Sequence, residues 1–326
     1  MAALLKVTVF LLCIMQSVLG LMSGSRPFPG RYTRKGLLHI HQRDSDGPLD
    51  ISYLPKEDEM KKVEGVLKIF FPSDDDRLSS TSANQVNSNL QQHMALPKLA
   101  VASKEERHNL GRQAQGLKDD GFLDFWAPTE LTYGEYNFGF FCELVAFARE
   151  QFLAEGSRGE DVPPQPSFLE IGSGCGRLVF GAAMLWEWKL CEGIELIEPL
   201  HQLASSAEAI LQKNEEGLKQ HMSPTKLVCG DFNGPECGIE RSDIIFSYCT
   251  TFPAFGNELT EMSAALGTRA RPGTIVITTD KVLSPDGPWQ FDLLRTATGN
   301  NRETAGTSTA YVWRVARSSA APARGG

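Results

Sequence analysis

The segment Ser167-Phe-Leu-Glu-Ile171 is a short apolar run that empties into Gly172-Ser-Gly-Cys-Gly176, and residues 178–188 then read as a helix. Strand, glycine turn, helix is a unit with few homes. It builds parallel sheets, and it brings main-chain N–H groups and a helix N-terminus to the end of a strand, where the ligands of such sheets sit. Gly172, Gly174 and Gly176 let the main chain turn and approach a ligand without Cβ clashes, which makes them the candidate cofactor loop. Their spacing, G-x-G-x-G, is not the dinucleotide pattern G-x-G-x-x-G. Glu170 precedes the first glycine by two positions, and a carboxylate there repels a pyrophosphate and attracts an ammonium.

The pattern recurs twice. A second apolar run, residues 190–194, ends at Glu195, and a third, Thr225–Cys229, ends in Gly230-Asp231-Phe232. A carboxylate at Glu195 can accept hydrogen bonds from both hydroxyls of a ribose. Asp231 can accept an adenine amino group while Phe232 packs on the ring face. S-adenosylmethionine (AdoMet) carries an ammonium, a sulfonium, a ribose and an adenine. Any one of these acids alone reads equally well as a solvated loop residue; three in order, at successive strand ends, point to AdoMet as the cofactor. Residues 243–246 read as a fourth strand, followed by Ser247-Tyr-Cys-Thr-Thr-Phe-Pro253, a helix over 257–266 and a fifth strand over 274–278. Residues 280–309 are turn-rich, and 310–315 form a late strand. The expected fold is α/β, a doubly wound parallel sheet ending in a hairpin-like pair.

Upstream lie Leu131-Thr-Tyr-Gly-Glu135 and an aromatic helix beginning Asn137-Phe-Gly-Phe-Phe. The order TYGE, aromatic helix, EIGSGCGR, GIE, GDF and PGTIVIT resembles the disruptor-of-telomeric-silencing-like (non-SET) histone lysine methyltransferases over residues 122–280. That resemblance implies a seven-strand, Rossmann-like class I methyltransferase sheet with an N-terminal helical extension. It puts Tyr133 and Glu135 over the methionine end of AdoMet, Glu170, Gly172 and Gly174 in the first loop, Glu195 on the ribose, and Asp231 with Phe232 on the adenine. The family usually has Asp where this chain has Glu170, and a polar residue such as Gln where Arg177 stands. After the fourth strand the family carries an Asn-Asn-Phe-like acceptor segment, whereas this chain has Tyr248-Cys-Thr-Thr-Phe252.

A lysine acceptor must be neutral to attack, and an apolar, aromatic channel lowers its pKa. Tyr133, Tyr248 and Phe252 are the candidates for that wall, and Glu135 for positioning. The expected activity is AdoMet-dependent methyl transfer to a protein lysine, a histone lysine by resemblance. The alternatives are a small-molecule methyltransferase of the plastid or secretory route, a catalytically silent AdoMet-binding module and, furthest away, a nicotinamide-dependent oxidoreductase.

Charge bears on partners. The chain has 32 Lys+Arg against 40 Asp+Glu, net −8. Six of the basic residues fall in residues 1–43, which hold no acid, so residues 44–326 keep 26 basic against 40 acidic residues, a net of −14. Such a balance argues against strong nucleic-acid binding. Residues 1–20, with Lys6 ahead of an apolar stretch and small residues up to Gly20, read as a signal peptide, and the Arg-rich, acid-free residues 21–43 as a transit-like segment. This leader predicts entry into the secretory route and onward passage to a plastid, with the nucleus as the alternative where the leader does not function. No later segment has 18 consecutive apolar residues, so no stable membrane span is expected once the leader is removed.

Residues 44–120 read as an accessory region: an amphipathic helix over 58–71, a polar linker over 73–92 and a polar, helix-permissive stretch over 98–118. The expectation is a solvated helix and linker ahead of a methyltransferase domain over 121–317, with a disordered tail over 318–326. The seven cysteines form no C-x-x-C pair and the histidines have no metal-ligand spacing, so no metal is expected.

Overall fold

The computed structural model describes residues 53–72, 102–116, 133–156, 165–213, 221–301 and 306–319, which belong to one compact unit, Asp50–Gly326. The expected signal peptide, transit-like segment and linker, and residues 320–326 of the expected tail, lie outside the described residues.

Seven strands form one sheet: β1 Ser167–Ile171, β2 Leu190–Glu195, β3 Thr225–Cys229, β4 Ile244–Ser247, β5 Ile275–Thr279, β6 Gln290–Asn300 and β7 Thr307–Arg317, in the order β3-β2-β1-β4-β5-β7-β6. The first five are parallel neighbours, with Ser167 opposite Leu190 and Phe168 opposite Ile244; β7 then enters antiparallel between β5 and β6. The order reverses between β1 and β4, and in open α/β sheets ligands bind at that switch point, beyond the carboxyl ends of the strands. The chain is thus an α/β, doubly wound Rossmann-like fold with an antiparallel pair at one edge. One expectation needs correction: residues 280–309 are not simply turn-rich, because β6 occupies 290–300. Ser318 and Ser319 still bond to the carbonyl of Gly267, so ordered chain continues two residues past β7 into the expected tail.

Side-chain alternation divides the core between the two faces of the sheet. Phe168, Cys191, Ile244, Phe246 and Ile277 point to one face, and Leu169, Ile171, Ile194, Ile245 and Val276 to the other. The second face is covered by helix α6, Thr260–Arg269, through Met262 and Leu266. The first is covered by α3 Phe138–Gly156, α4 Arg177–Leu185 and α5 Glu198–Lys213, the first of these carrying Phe138, Phe140 and Phe141 into an aromatic cluster with Phe168 and Phe246.

The accessory region is not a solvated appendage. Helix α1, Glu57–Phe70, buries Val63, Val66, Leu67 and Phe70 in that same core. It approaches α4 so closely that a Cβ on Gly181 would lie 3.4 Å from Leu67, and the next residue, Phe71, stacks on Phe180 with ring centroids 6.3 Å apart. Helix α2, Lys104–Gly116, opens with a reciprocal cap: Ser103 Oγ accepts the Glu106 N–H, and Glu106 Oε2 accepts the Ser103 N–H. Among the described residues no helix is long and apolar enough to cross a membrane.

Candidate functional site

The carboxyl ends of β1, β2, β3 and β4 open into a cavity of about 500 Å³, in the range of small-molecule sites. Ten of the eleven candidate site residues singled out from the sequence and its resemblance line it: Tyr133, Glu135, Glu170, Gly172, Gly174, Glu195, Asp231, Phe232, Tyr248 and Phe252.

Gly172 and Gly174 adopt φ of 76° and 54°. At these two positions the shape, as well as the backbone angle, requires glycine: a Cβ on Gly172 would meet the Phe252 ring at 2.9 Å, and one on Gly174 the Tyr133 ring at 2.7 Å. The turn's N–H groups are spent within the fold. Those of Gly172 and Ser173 both go to the carbonyl of Ile194, and that of Gly174 goes to Glu195 Oε2 at 2.6 Å. Gly176 donates to the carbonyl of Ser173 and caps α4, away from the cavity lining, which corrects its place among the cofactor-binding candidates: its N–H closes a turn and its missing Cβ makes room for Phe180 and Ala204. A pyrophosphate site needs such N–H groups turned outward; here they point back into β2.

The cavity instead presents carboxylates. Glu195 accepts the N–H groups of Gly174 and, through Oε1, of Ile197 at 2.8 Å, which aims it at the end of β2. Burial raises its pKa, and the backbone N–H bonds oppose that rise. Glu170 is buried, and among the described residues its Oε2 has no hydrogen-bond partner. Burial pushes its pKa well up, the nearby Glu195 adds in the same direction, and Arg177 opposes both. A buried carboxylate oxygen without a donor is costly and calls for a cationic group in the cavity. An ammonium beside Glu170, a ribose beside Glu195 and an adenine beside Asp231 and Phe232 match what AdoMet carries, so the residues present fit it. Asp231 Oδ1 also accepts the N–H of Asn233, which holds its carboxylate at the end of β3.

The side of the cavity away from Asp231 is bounded by Tyr133 and Glu135. The Tyr133 hydroxyl donates to Glu135 Oε1 at 3.1 Å and lies 3.0 Å from Cys175 Sγ. Burial raises the Tyr133 pKa well above its ordinary value, so the phenol keeps its proton. The sequence reading missed Arg107, on α2. It is fully buried and donates Nε at 2.9 Å, and also Nη2, to Glu135 Oε1. Its neighbour His108 lines the cavity with its ring edge-on to Tyr133. Arg177 lines the cavity too and donates Nη1 to the carbonyl of Tyr136 at 2.9 Å, tying the 133–136 segment to the start of α4.

The expected aromatic wall divides. Tyr248 packs on Tyr136, ring centroids 5.0 Å apart, while Phe252 lies over Gly172 and 6.2 Å from Phe232, at the other end of the cavity from Tyr133. The segment carrying both is stitched to the end of β5. Cys249 N–H donates to Thr279 Oγ1, Thr250 Oγ1 to Asp280 Oδ2, and Lys281 Nζ to the carbonyl of Phe252.

A family model described as the histone methylation protein DOT1 matches residues 122–288 of the chain. No curated protein matches it. Among solved structures, the chain is similar to the rRNA methyltransferase aviRa from Streptomyces viridochromogenes, at 15% identity over 53% of this chain and 85% of that one, TM-score 0.35. It is also similar to the magnesium protoporphyrin IX methyltransferase ChlM from Synechocystis PCC 6803 with bound SAM, at 17% identity over 64% and 97%, TM-score 0.34. A third is the arsenic(III) S-adenosylmethionine methyltransferase CrArsM from Chlamydomonas reinhardtii, at 14% over 52% and 73%, TM-score 0.33.

Proposed function

The chain belongs to the family of the histone methylation protein DOT1 and is an AdoMet-dependent methyltransferase, and from that membership we propose that its methyl acceptor is a lysine side chain of a protein. The observation that carries the proposal is the pairing of Tyr136 and Tyr248, whose rings stand 5.0 Å apart at a cavity that also holds Glu135. Aromatic faces suit the alkyl stem and the amine of a lysine. AdoMet supplies an activated methyl group on its sulfonium.

In this reading the work left to the chain is alignment and exclusion of water. Glu170 and Glu135 hold the ammonium end, Glu195 the ribose, and Asp231, Phe232 and Phe252 the adenine. Tyr133, seated on Gly174, and Tyr248 bound the opening through which the lysine enters. Low polarity there favours the neutral amine that attacks in line with the leaving sulfur.

The test is methyl transfer from labelled AdoMet by the full chain, offered nucleosomes and an organelle extract in parallel, with Glu195→Ala as control. Label on a histone or another protein lysine, lost in the variant, supports the reading. Label only on small molecules overturns it, as does AdoMet binding with no acceptor labelled. The extract also serves the leader, since we propose delivery through the secretory route to a plastid; a fluorescent fusion of residues 1–43 that collects in the nucleus would sink that part.

A further inference from the structure

The pairing of Arg107 with Glu135 reaches beyond the matched segment, because Arg107 lies on α2, upstream of residue 122. We infer that α2 is a working part of the cofactor site and that Arg107 is a positioning residue, setting the Glu135 carboxylate against the ammonium end of AdoMet. The inference rests on the placement of Glu135 at that end, proposed above.

A fully buried arginine is rare and persists only where its donors are satisfied. Arg107 sits in a helix of otherwise polar sequence, KEERHNLGRQAQG, and its guanidinium gathers partners from three separate stretches of chain. Nη1 donates to the carbonyl of Ala102 at 2.7 Å and Nη2 to the carbonyl of Pro72 at 3.2 Å, while the Phe71 ring lies 5.9 Å away. Those two carbonyls fasten α2 to the end of α1 but leave the charge and the remaining N–H donors of the guanidinium unmatched. Arg107 additionally directs Nε and Nη2 to Glu135 Oε1, the oxygen that also receives the Tyr133 hydroxyl. Three donors on one oxygen fix the rotation of the carboxylate. They also link α1, α2, the 133–136 segment and, through Cys175, the glycine turn into one hydrogen-bonded chain. His108, one residue along, contributes to the cavity wall directly.

The effect should depend on the part of the ligand that Glu135 meets. S-adenosylhomocysteine keeps the amino-acid arm of AdoMet, and methylthioadenosine lacks it. Equilibrium binding of both to the full chain separates a positioning role from a structural one without any need to know the acceptor. In Arg107→Met the dissociation constant for S-adenosylhomocysteine should rise on the order of tenfold or more, while that for methylthioadenosine stays where it is in the wild type. Arg107→Lys, which keeps the charge and loses the planar fork, should fall between. Equal losses for the two ligands would make Arg107 structural only, and no loss for either would disconnect it from the site; both overturn the inference.

Hydrogen exchange on the wild type gives a reading that requires no variant to fold. S-adenosylhomocysteine should protect residues 104–116 and methylthioadenosine should not, whereas equal protection by both overturns the inference. If the wild type binds both ligands equally tightly, the assignment of Glu135 has failed first, and this inference with it.

Discussion

Glu170 holds an acid in a place that favours its neutral form. It is buried, faces Glu195 and has its pKa raised. An acid whose pKa is higher in the folded than in the unfolded state contributes stability below the unfolded value, near 4.5, and loses that contribution as pH climbs through the folded value. The ligand-free protein should therefore lose stability on the alkaline side of 4.5 through this residue, with Glu195, also raised, adding to the loss. A ligand ammonium reverses the preference, because it stabilises the carboxylate. Binding of AdoMet should then release protons, and its affinity should increase with pH across the same window. Calorimetric titration in two buffers of different ionisation enthalpy reads the release directly. Glu170→Gln should cut the release and flatten the pH dependence. Identical heats in the two buffers would show that the carboxyl is already ionised and that burial is not its governing influence.

The loop after β4 depends in the same way on one side chain at the end of β5. Asp280 adopts φ of 61°, a left-handed conformation that non-glycine residues take only when held there. Its holders are Ser308 Oγ and Thr309 N–H, both donating to Oδ1, and Thr250 Oγ1 to Oδ2. Asp280→Ala removes the link between the Tyr248–Phe252 segment and β7 and should cost about 1–3 kcal/mol of stability. It should depress methyl transfer more than AdoMet affinity, since Glu170, Glu195 and Asp231 stand on other strands and Phe252 alone of this segment meets the adenine; an equal fall in both would place Asp280 in the cofactor half.

This loop also marks where the sequence stops being legible. Strands β1, β2, β4 and β5 are buried apolar runs bounded by turns, and the cofactor acids stand at the ends of β1, β2 and the half-exposed β3, so both the strands and the acids could be read locally. Strand β6, Gln290–Asn300, is an edge strand pairing only with β7, and its exposed Gln290, Asp292, Thr298 and Asn300 hide its apolar alternation. Arg107 was hidden differently. The cap Ser103-Lys-Glu-Glu106 announces its helix, but its partner stands 28 residues away, and no local pattern encodes that meeting.

At the scale of the whole molecule, the family match and the folding unit do not coincide. The match starts at residue 122, yet the core it describes is closed by α1, which lies before it. Val63, Val66, Leu67 and Phe70 are each at most 1% exposed. Full burial of such side chains contributes about 1.5–3 kcal/mol apiece, so together roughly 6–12 kcal/mol, comparable with the entire stability of a typical domain, about 5–15 kcal/mol. A chain beginning at residue 122 would keep every residue carried over from the family and expose the faces of α3 and α4 that α1 covers, Phe138 and Phe180 among them. It would also lose Arg107. The truncated chain should therefore be insoluble or melt without a cooperative transition, and should bind no S-adenosylhomocysteine. The full chain with Leu67→Ala should fold, at a cost of about 2–5 kcal/mol, and retain its site. Thermal melts of the two, with and without S-adenosylhomocysteine, decide the matter. A truncated chain that melts cooperatively and is stabilised by the ligand would show that the matched segment folds alone and that α1 and α2 only decorate it.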